Sequence, residues 1–210
     1  MTATRTAPGD PDSPVRHLRV VEPAPAEVDV AAAETAVRDL LAALGQDPSA
    51  EHRRDTPRRV AAALAELLTA RSFELTTFPN DEGYDELVVA RDITFRSLCE
   101  HHLLPFTGRA HVGYLPGERI LGLSKLARVV ELFSCRLQVQ ERLTSQIARW
   151  LEDNLSPKGV GVVLEAEHMC MSLRGVRATG SSTVTSTLLG EIRDDPRTRA
   201  EFFALTGHRA

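Results

Sequence analysis

The order in which hydrophobic periodicity changes along the chain is the feature that most restricts its fold. Apolar residues recur at helical spacing over residues 28–44 and again after residue 55, and the period falls toward two between residues 87 and 114. Two helical stretches follow, one beginning at Ser124 and one near Leu143. Strand patterns begin at residues 160 and 183. Helices and strands that come in blocks, rather than in alternation, predict an α+β fold. The short connections between the first strands predict antiparallel pairing.

Turn and capping residues place several element boundaries. Gly45 predicts the end of the first helix. In the segment Asp55-Thr56-Pro57, Thr56 is predicted as the N-cap and Pro57 as the first helical residue of the second helix. Residues 76–84 are rich in turn formers and predict a loop, and Asp195-Pro196 predicts the start of a short C-terminal helix.

The N-terminal segment differs in composition from the rest of the chain. It holds five of the twelve prolines and few large apolar side chains, so it cannot bury enough surface to offset the entropy lost on ordering. We therefore predict a disordered tail over residues 1–26, an N-terminal helical segment over residues 27–72, and a main domain over residues 73–210.

Composition excludes several classes of protein. With 210 residues, 42% of them hydrophobic, the chain is large enough for a substantial core. Its formal net charge of −4 argues against a nucleic-acid polymer as partner. No apolar run approaches the ~20 residues that cross a bilayer, and no secretory signal is recognisable at the N-terminus. These features predict a cytoplasmic protein with no membrane partner.

The three cysteines are an odd number and exclude a fully paired disulfide framework. Two of them lie in short stretches that also carry histidines, Cys99-Glu100-His101-His102 and His168-Met169-Cys170. The second stretch follows the predicted strand over residues 160–167. If that strand continues, His168 and Cys170 face the same side of the sheet.

Together the two stretches predict a zinc site. Catalytic zinc centres in proteins use thiolate and imidazole ligands and keep one position open, an arrangement that Cys99, His102 and Cys170 satisfy. His101 and His168 are then neighbours of the metal that can transfer protons near neutral pH. The alternative interpretation is that the two thiols are small buried hydrophobic groups and the histidines are hydrogen-bonded core residues. Cys135 stands alone in a helical stretch and is interpreted as a packed or partly exposed thiol.

Four cations and one hydroxyl group are suited to bind a polyphosphate. They lie at or near helix N-termini, which favour anions, or shortly after the His168 stretch. These candidates are Ser124, Lys125, Arg128, Arg174 and Arg59. Taken singly, a cation of this kind is more often a solvated surface charge than part of a binding site. Glu141, next to Gln140, can accept two hydrogen bonds from guanine N1–H and the 2-amino group, although an ordinary solvated carboxylate is the alternative.

At this point the motifs identify a resemblance. They occur in order, and they are DTP at 55–57, CEHH at 99–102, GLSKLARVVE at 122–131, QVQERLT at 138–144, HMCMSLRGV at 168–176 and STVTSTLLG at 182–190. From about residue 30 to its C-terminus, the sequence resembles the GTP cyclohydrolase I family. The combination of CEHH, QVQER and H-x-C is highly specific.

The resemblance implies roles for the metal and proton-transfer residues. It implies that Cys99, His102 and Cys170 bind a catalytic Zn²⁺ and that His101 and His168 are the acid/base groups around the purine. It further implies that zinc-bound hydroxide attacks C8 of GTP, that the imidazole ring opens and releases formate, and that rearrangement of the ribose gives 7,8-dihydroneopterin triphosphate. This hydrolysis is the first step of folate and pterin biosynthesis.

The resemblance also implies the substrate contacts and the assembly. The residues implied to bind the triphosphate are Ser124, Lys125, Arg128 and Arg174, with Arg59 reaching in from a neighbouring subunit. Gln140 and Glu141 are implied to recognise guanine. The implied fold is the tunnelling fold, an antiparallel sheet with helices packed on one face, assembled into a homodecamer with active sites between subunits.

Two departures and three alternatives accompany this resemblance. Ala62 stands where the family often has a lysine near the phosphates. Arg96 stands three residues before Cys99, at a position where an aromatic or small residue is more usual. Nitrile reductases share the fold but use a cysteine nucleophile without a metal, and pyruvoyl-type pterin synthases bind zinc through three histidines. A non-catalytic GTP-binding homologue is the remaining alternative, although every implied metal and proton-transfer residue is present.

Overall fold

The computed structural model describes residues 16–18, as backbone only, and residues 28–208. Of the segment predicted to be a disordered tail, Arg16–Leu18 form a short strand that pairs with residues 75–77. The remainder of that predicted tail lies outside the described residues. The tail and the two domain boundaries therefore stay predictions.

The described residues form helices and strands in blocks, as predicted. The helices are α1 (Val30–Ala43), α2 (Thr56–Leu68), α3 (Leu123–Ser134), α4 (Gln140–Leu155), α5 (Met169–Ser172), α6 (Glu191–Asp194) and α7 (Pro196–Thr206). The strands are β1 (Arg16–Leu18), β2 (Leu75–Pro79), β3 (Val88–Cys99), β4 (Pro105–Leu115), β5 (Arg119–Leu121), β6 (Leu137–Gln138), β7 (Gly159–His168) and β8 (Thr183–Gly190). This block order confirms the predicted α+β class.

The main sheet has five strands in the order β6-β3-β4-β7-β8, and β1, β2 and β5 form a small second sheet. The long strands β3, β4, β7 and β8 pair antiparallel, as predicted, whereas the two-residue strand β6 pairs parallel with the end of β3. A register shift between Ala90 and Ile93 marks an irregularity in β3. The ends of β3 and β7 that carry the two cysteine–histidine stretches lie on either side of β4.

The principal core lies between the sheet and helices α3 and α4. Leu126 and Val129 of α3 and Leu143 and Ile147 of α4 are fully buried against the strands. The opposite face of the sheet holds a smaller cluster around Phe202 of α7. That ring occupies the space above Gly161, where a Cβ atom would lie 2.7 Å from it. The long helices thus cover one face, as predicted, and the short C-terminal helix covers part of the other.

Helices α1 and α2 contact each other and leave much of their apolar surface uncovered. Of the apolar residues at helical spacing in α1, Val37 is buried, while Leu40 and Leu44 are 56% and 65% exposed. In α2, Ala61 is buried and Val60 is exposed. Amphipathic spacing identifies an apolar face but not what covers it.

Three local predictions were wrong. The strand over residues 160–167 ends at His168, and Met169–Ser172 form a helical turn, so Cys170 does not alternate with His168 along a strand. The predicted loop over residues 76–84 begins with strand β2, whose pairing with β5 outweighs its turn-forming composition. The N-cap of α2 is Asp55 rather than Thr56.

Within the described residues, none of the helices is long and apolar enough to cross a membrane.

Candidate active site and metal centre

The first cysteine–histidine stretch forms a tight turn at the end of β3. Cys99 is buried, and its backbone N–H donates to the carbonyl of Leu104. The carbonyl of Cys99 in turn accepts from the N–H groups of His102 and Leu103. Leu103 has a φ of +56°, a left-handed conformation that reverses the chain toward β4. This turn brings the imidazole of His102 close to the thiol of Cys99.

The three predicted metal ligands converge. One ligand atom each from Cys99, His102 and Cys170 lies within 4.8 Å of the other two. The Sγ of Cys99 is 3.6 Å from Nδ1 of His102. Two ligand atoms bound tetrahedrally to one zinc ion are separated by about 3.6 Å, so this spacing fits a shared metal. Two thiolates and one imidazole leave a fourth position open, and the donor set therefore fits zinc.

The two thiols also influence each other in the absence of a metal. Burial raises the pKa of Cys170 above that of an ordinary thiol, and the neighbouring Cys99, through its charge and its hydrogen bond, raises it further. Two negative charges at this distance repel each other unless a cation lies between them. The short distance between the two thiols is therefore typical of cysteines that bind one metal cation.

His168 is held at the last position of β7 by a neighbour on each side. Its ring stacks on Phe106 with the two planes 3° apart and the centroids separated by 4.6 Å. Its Nε2 atom is 2.7 Å from Oε1 of Gln140, in the first turn of α4. Burial lowers the pKa of the imidazole, and the charge of Glu141 opposes that shift. His168 is therefore oriented, partly buried and biased toward the neutral form.

His101 is more exposed and is approached by a charged pair. Arg142 of α4 forms an ion pair with Glu100, and it also donates to the carbonyl of Leu137. The hydrogen bond from Arg142 lowers the pKa of Glu100 below the usual carboxyl value. The other carboxylate oxygen of Glu100 is 3.8 Å from Nε2 of His101. Arg142 thus ties the turn that carries the histidines to the start of α4.

The residues predicted to contact phosphate lie at the surface. Ser124 and Lys125 begin α3, with Ser124 exposed and Lys125 half-buried, and Arg174 is exposed just beyond α5. Arg59 is 71% exposed and pairs with Asp55 in its own helix. The position at which the family often has lysine is the exposed Ala62 of the same helix.

Arg128 differs from the other cations because the carboxylate that pairs with it is also bound by a second arginine. It lies 3.1 Å from the Glu131 carboxylate, which Arg71 also binds through two nitrogen atoms. Hydrogen bonds and charge from Arg71, and then from Arg128, lower the pKa of Glu131. Glu131 therefore stays ionised and fixes Arg128 on the exposed side of α3.

The two residues predicted to read guanine have different surroundings. Glu141 is exposed in the first turn of α4. Gln140 is 2% exposed, and its amide is bonded to β7 and β8 as well as to His168. Their predicted role in guanine recognition stays a prediction.

Cys135 lies at the end of α3, apart from the metal ligands. It is half-buried, and burial raises its pKa. It lines an open cleft of about 890 Å³ between α2, α3 and β3 that contains none of the predicted site residues. This placement agrees with its interpretation as a packed thiol.

Sequence reasoning missed the side chains that hold the predicted site residues. These are Phe106 beside His168, Arg142 beside Glu100, and Arg71 with Glu131 beside Arg128. Glu100, Glu131 and Arg142 lie within the motifs quoted above, so their positions were visible in the sequence. Phe106 could have been found only from the strand register, which places it opposite His168.

Comparison with known proteins decides the family. The model of the GTP cyclohydrolase I family matches residues 33–207. The chain belongs to the GTP cyclohydrolase I family. It is 53% identical to GTP cyclohydrolase 1 of Synechococcus sp. (strain JA-3-3Ab), over 91% of this chain and 86% of that protein. It is 51% identical both to the Aquifex aeolicus protein of that name, over 85% and 97% of the two chains, and to the Rattus norvegicus protein, over 81% and 72%.

Family membership confirms the resemblance inferred from the motifs, and with it an enzyme of the GTP cyclohydrolase I type. Among solved structures, the apo form of archaeosine synthase QueF-Like aligns with 50% of this chain and 94% of its own length, with a TM-score of 0.42 and 16% identity. The family assignment rests on the family model and on the relatives that match most of the chain.

Proposed function

We propose that this chain hydrolyses GTP to 7,8-dihydroneopterin triphosphate and formate at a zinc centre formed by Cys99, His102 and Cys170. The observation that carries the proposal is the convergence of these three donors, from two segments far apart in sequence, within 4.8 Å. Zinc held there would supply the Lewis acidity that makes water nucleophilic near neutral pH. Cys99 and Cys170 would bind it as thiolates, whose mutual repulsion its charge would offset.

The two remaining histidines of the motifs move protons. His168 is oriented by Phe106 and Gln140 and has a lowered pKa, so it is ready to accept a proton at neutral pH. The Nε2 atom of His101 lies 3.8 Å from the carboxylate of Glu100. The two imidazoles serve as the base and the acid for protonation at N7 of guanine and for release of formate.

The cations of α3 and of the segment after α5 hold the triphosphate. Ser124 and Lys125 lie at the start of α3, where free backbone N–H groups favour anions. Arg128, fixed by Glu131, and the exposed Arg174 add charge that pairs bidentately with phosphate oxygens. Glu141 accepts from the N1–H and 2-amino groups of guanine, a pair of donors that adenine lacks.

We further propose that the active protein is a cytoplasmic homodecamer in which Arg59 contacts the phosphates of a neighbouring subunit. The exposed apolar side chains of α1, including Leu40 and Leu44, support burial against another copy. The exposure of Arg59, whose only ion-pair partner among the described residues is Asp55, leaves its guanidinium accessible to a ligand.

Metal content and formate release test the proposal together. We expect purified protein to contain one zinc per chain and to release formate from GTP, and we expect a chelator to abolish both. Cys170→Ser should lose zinc and turnover, whereas His168→Ala should keep zinc and lose turnover by about 100-fold or more. Full formate release from zinc-free Cys170→Ser protein would contradict the proposed centre. Loss of zinc from His168→Ala would reverse the division between ligands and proton carriers.

A further inference from the structure

The side chain of Gln140 has an unusual position for a residue that reads a substrate. It is buried, and it links three elements that meet at the site. Its Nε2 atom donates toward the carbonyl oxygens of Leu164 and Thr183, at 3.1 and 2.8 Å, and lies 3.1 Å from the Thr185 hydroxyl. Its Oε1 atom is 2.7 Å from the His168 ring. Both ends of the amide are therefore engaged by protein groups.

These contacts determine which end of the amide faces His168. Backbone carbonyl oxygens only accept hydrogen bonds, so the NH₂ group of Gln140 must face Leu164 and Thr183. The carbonyl end consequently faces His168 and acts only as an acceptor. The Nε2 atom of His168 must then carry the proton that it donates to Gln140.

The hydroxyl groups around Gln140 agree with this direction of donation. Thr144 lies 2.7 Å from the backbone carbonyl of Gln140, to which its hydroxyl donates. Because the single hydroxyl proton of Thr144 is used in that bond, Thr185, 2.6 Å away, must donate to Thr144. The Thr185 proton therefore points away from the NH₂ group of Gln140. In this hydrogen-bond network every donor has an acceptor. No other orientation of the Gln140 amide gives each donor a partner.

We propose that Gln140 is a positioning residue that holds His168 as its Nε2–H tautomer and so makes Nδ1 the ring atom that exchanges a proton with the substrate. In the described part of the chain, Nδ1 of His168 forms no hydrogen bond, and Phe106 fixes the plane of the ring. Gln140 acts through His168 and does not touch GTP. This inference rests on the proposed proton-transfer role of His168, and it assigns guanine recognition to Glu141 alone.

Steady-state kinetics separate positioning from substrate recognition. Gln140→Met keeps the length of the side chain and removes the acceptor for His168. Gln146→Met makes the same change elsewhere on α4, where the lost hydrogen bond joins Gln146 to Gln138. We expect Gln140→Met to lower kcat by about 10- to 100-fold with KM for GTP within about twofold, and Gln146→Met to keep kcat within about threefold.

Three kinetic results would overturn the inference, and a fourth would overturn the role of His168 on which it rests. A raised KM for GTP with unchanged kcat in Gln140→Met would show that the amide binds guanine. Equal losses of kcat in the two variants would show that only the packing of α4 matters. Full turnover by Gln140→Met beside an inactive His168→Ala would reject this inference alone, whereas full turnover by His168→Ala would reject the proposed role of His168 itself.

The tautomer can also be measured without replacing Gln140. Solid-state ¹⁵N spectra of histidine-labelled wild-type protein, recorded near pH 8.5 where an imidazole is neutral, distinguish protonated from bare ring nitrogens. The His168 signals are identified by their loss in His168→Ala. We expect a protonated Nε2 and a bare Nδ1 for His168. The opposite pattern would overturn the inference even if Gln140→Met failed to fold.

Discussion

Buried polar side chains at the start of α4 determine the local geometry of the site. Gln138, Gln140 and Thr144 are at most 2% exposed, and each forms hydrogen bonds to protein groups. A buried donor or acceptor left unpaired costs about 1–3 kcal/mol, so alternative orientations of these side chains are disfavoured. The exposed neighbour Glu141 has no such constraint and is available to a ligand.

Glu141 provides a prediction at this scale. Glu141→Gln removes the charge of the proposed guanine acceptor, and we expect KM for GTP to rise by about 10- to 100-fold with a smaller change in kcat. Inosine triphosphate lacks the 2-amino group, so the same substitution should raise KM for that nucleotide by a smaller factor. Formate release measured with both nucleotides tests this difference. An equal factor for both would mean that Glu141 does not contact the 2-amino group.

At the scale of elements, ion pairs connect segments that the sequence separates widely. Arg71, between α2 and β2, binds Glu131 of α3, and Glu131 also holds Arg128 on the same helix. The Arg142–Glu100 pair likewise connects α4 to the end of β3. These contacts place the proposed phosphate-binding helix and the proposed metal-binding turn relative to their neighbours.

The lowered pKa of Glu131 makes the contribution of the first network dependent on pH. Because its folded-state pKa lies below the usual 4.5, Glu131 stabilises the fold above that pH, and this contribution is lost as the pH falls through the folded pKa. We expect Glu131→Gln to lower the free energy of unfolding by roughly 1–2 kcal/mol at pH 7, and we expect this deficit to be smaller at pH 3.

Urea unfolding at both pH values measures this deficit. Glu66→Gln is the matched control, because its carboxylate pairs with Arg96 where both side chains are largely exposed, and it should change little at either pH. A deficit for Glu131→Gln that is the same at pH 3 and pH 7 would show that packing, rather than charge, is lost.

At the scale of the whole molecule, the proposed decamer divides the active site between subunits. The proposed metal ligands converge within one chain, whereas Arg59 is exposed on α2, as are the apolar side chains of Leu40 and Leu44 on α1. If Arg59 serves a neighbouring subunit, two inactive variants can complement each other. A subunit with His168→Ala still supplies Arg59, and a subunit with Arg59→Ala still supplies His168.

We therefore expect mixed oligomers of these two variants to regain activity. Random assembly of equal amounts should give about a quarter of the wild-type number of complete sites. Co-expression with two affinity tags isolates the mixed species, and light scattering should show about ten chains of 23.0 kDa. Each variant alone is the control. Mixed oligomers without recovered activity would mean that Arg59 and His168 act within one chain, whereas full activity of Arg59→Ala alone would mean that Arg59 does not contribute.

Short motifs explain why much of the site was predictable from the sequence. The CEHH turn is local, because Cys99 and His102 approach each other through hydrogen bonds within residues 99–104. The capping of α7 by Asp195, which accepts from the N–H of Arg197, is local as well. Interactions between residues close in sequence leave a pattern that can be read without the fold.

The amino-acid sequence alone determined the α+β class, the family and the residue types of the proposed metal centre. The tertiary structure alone decided that Phe106 stacks on His168, because the register of β4 and β7 sets that pair. It also decided that the Gln140 side chain is buried against polar groups of β7 and β8. A helical turn, rather than a strand, places Cys170 close to Cys99. Register and burial depend on the packing of distant segments, and local periodicity contains no information about that packing.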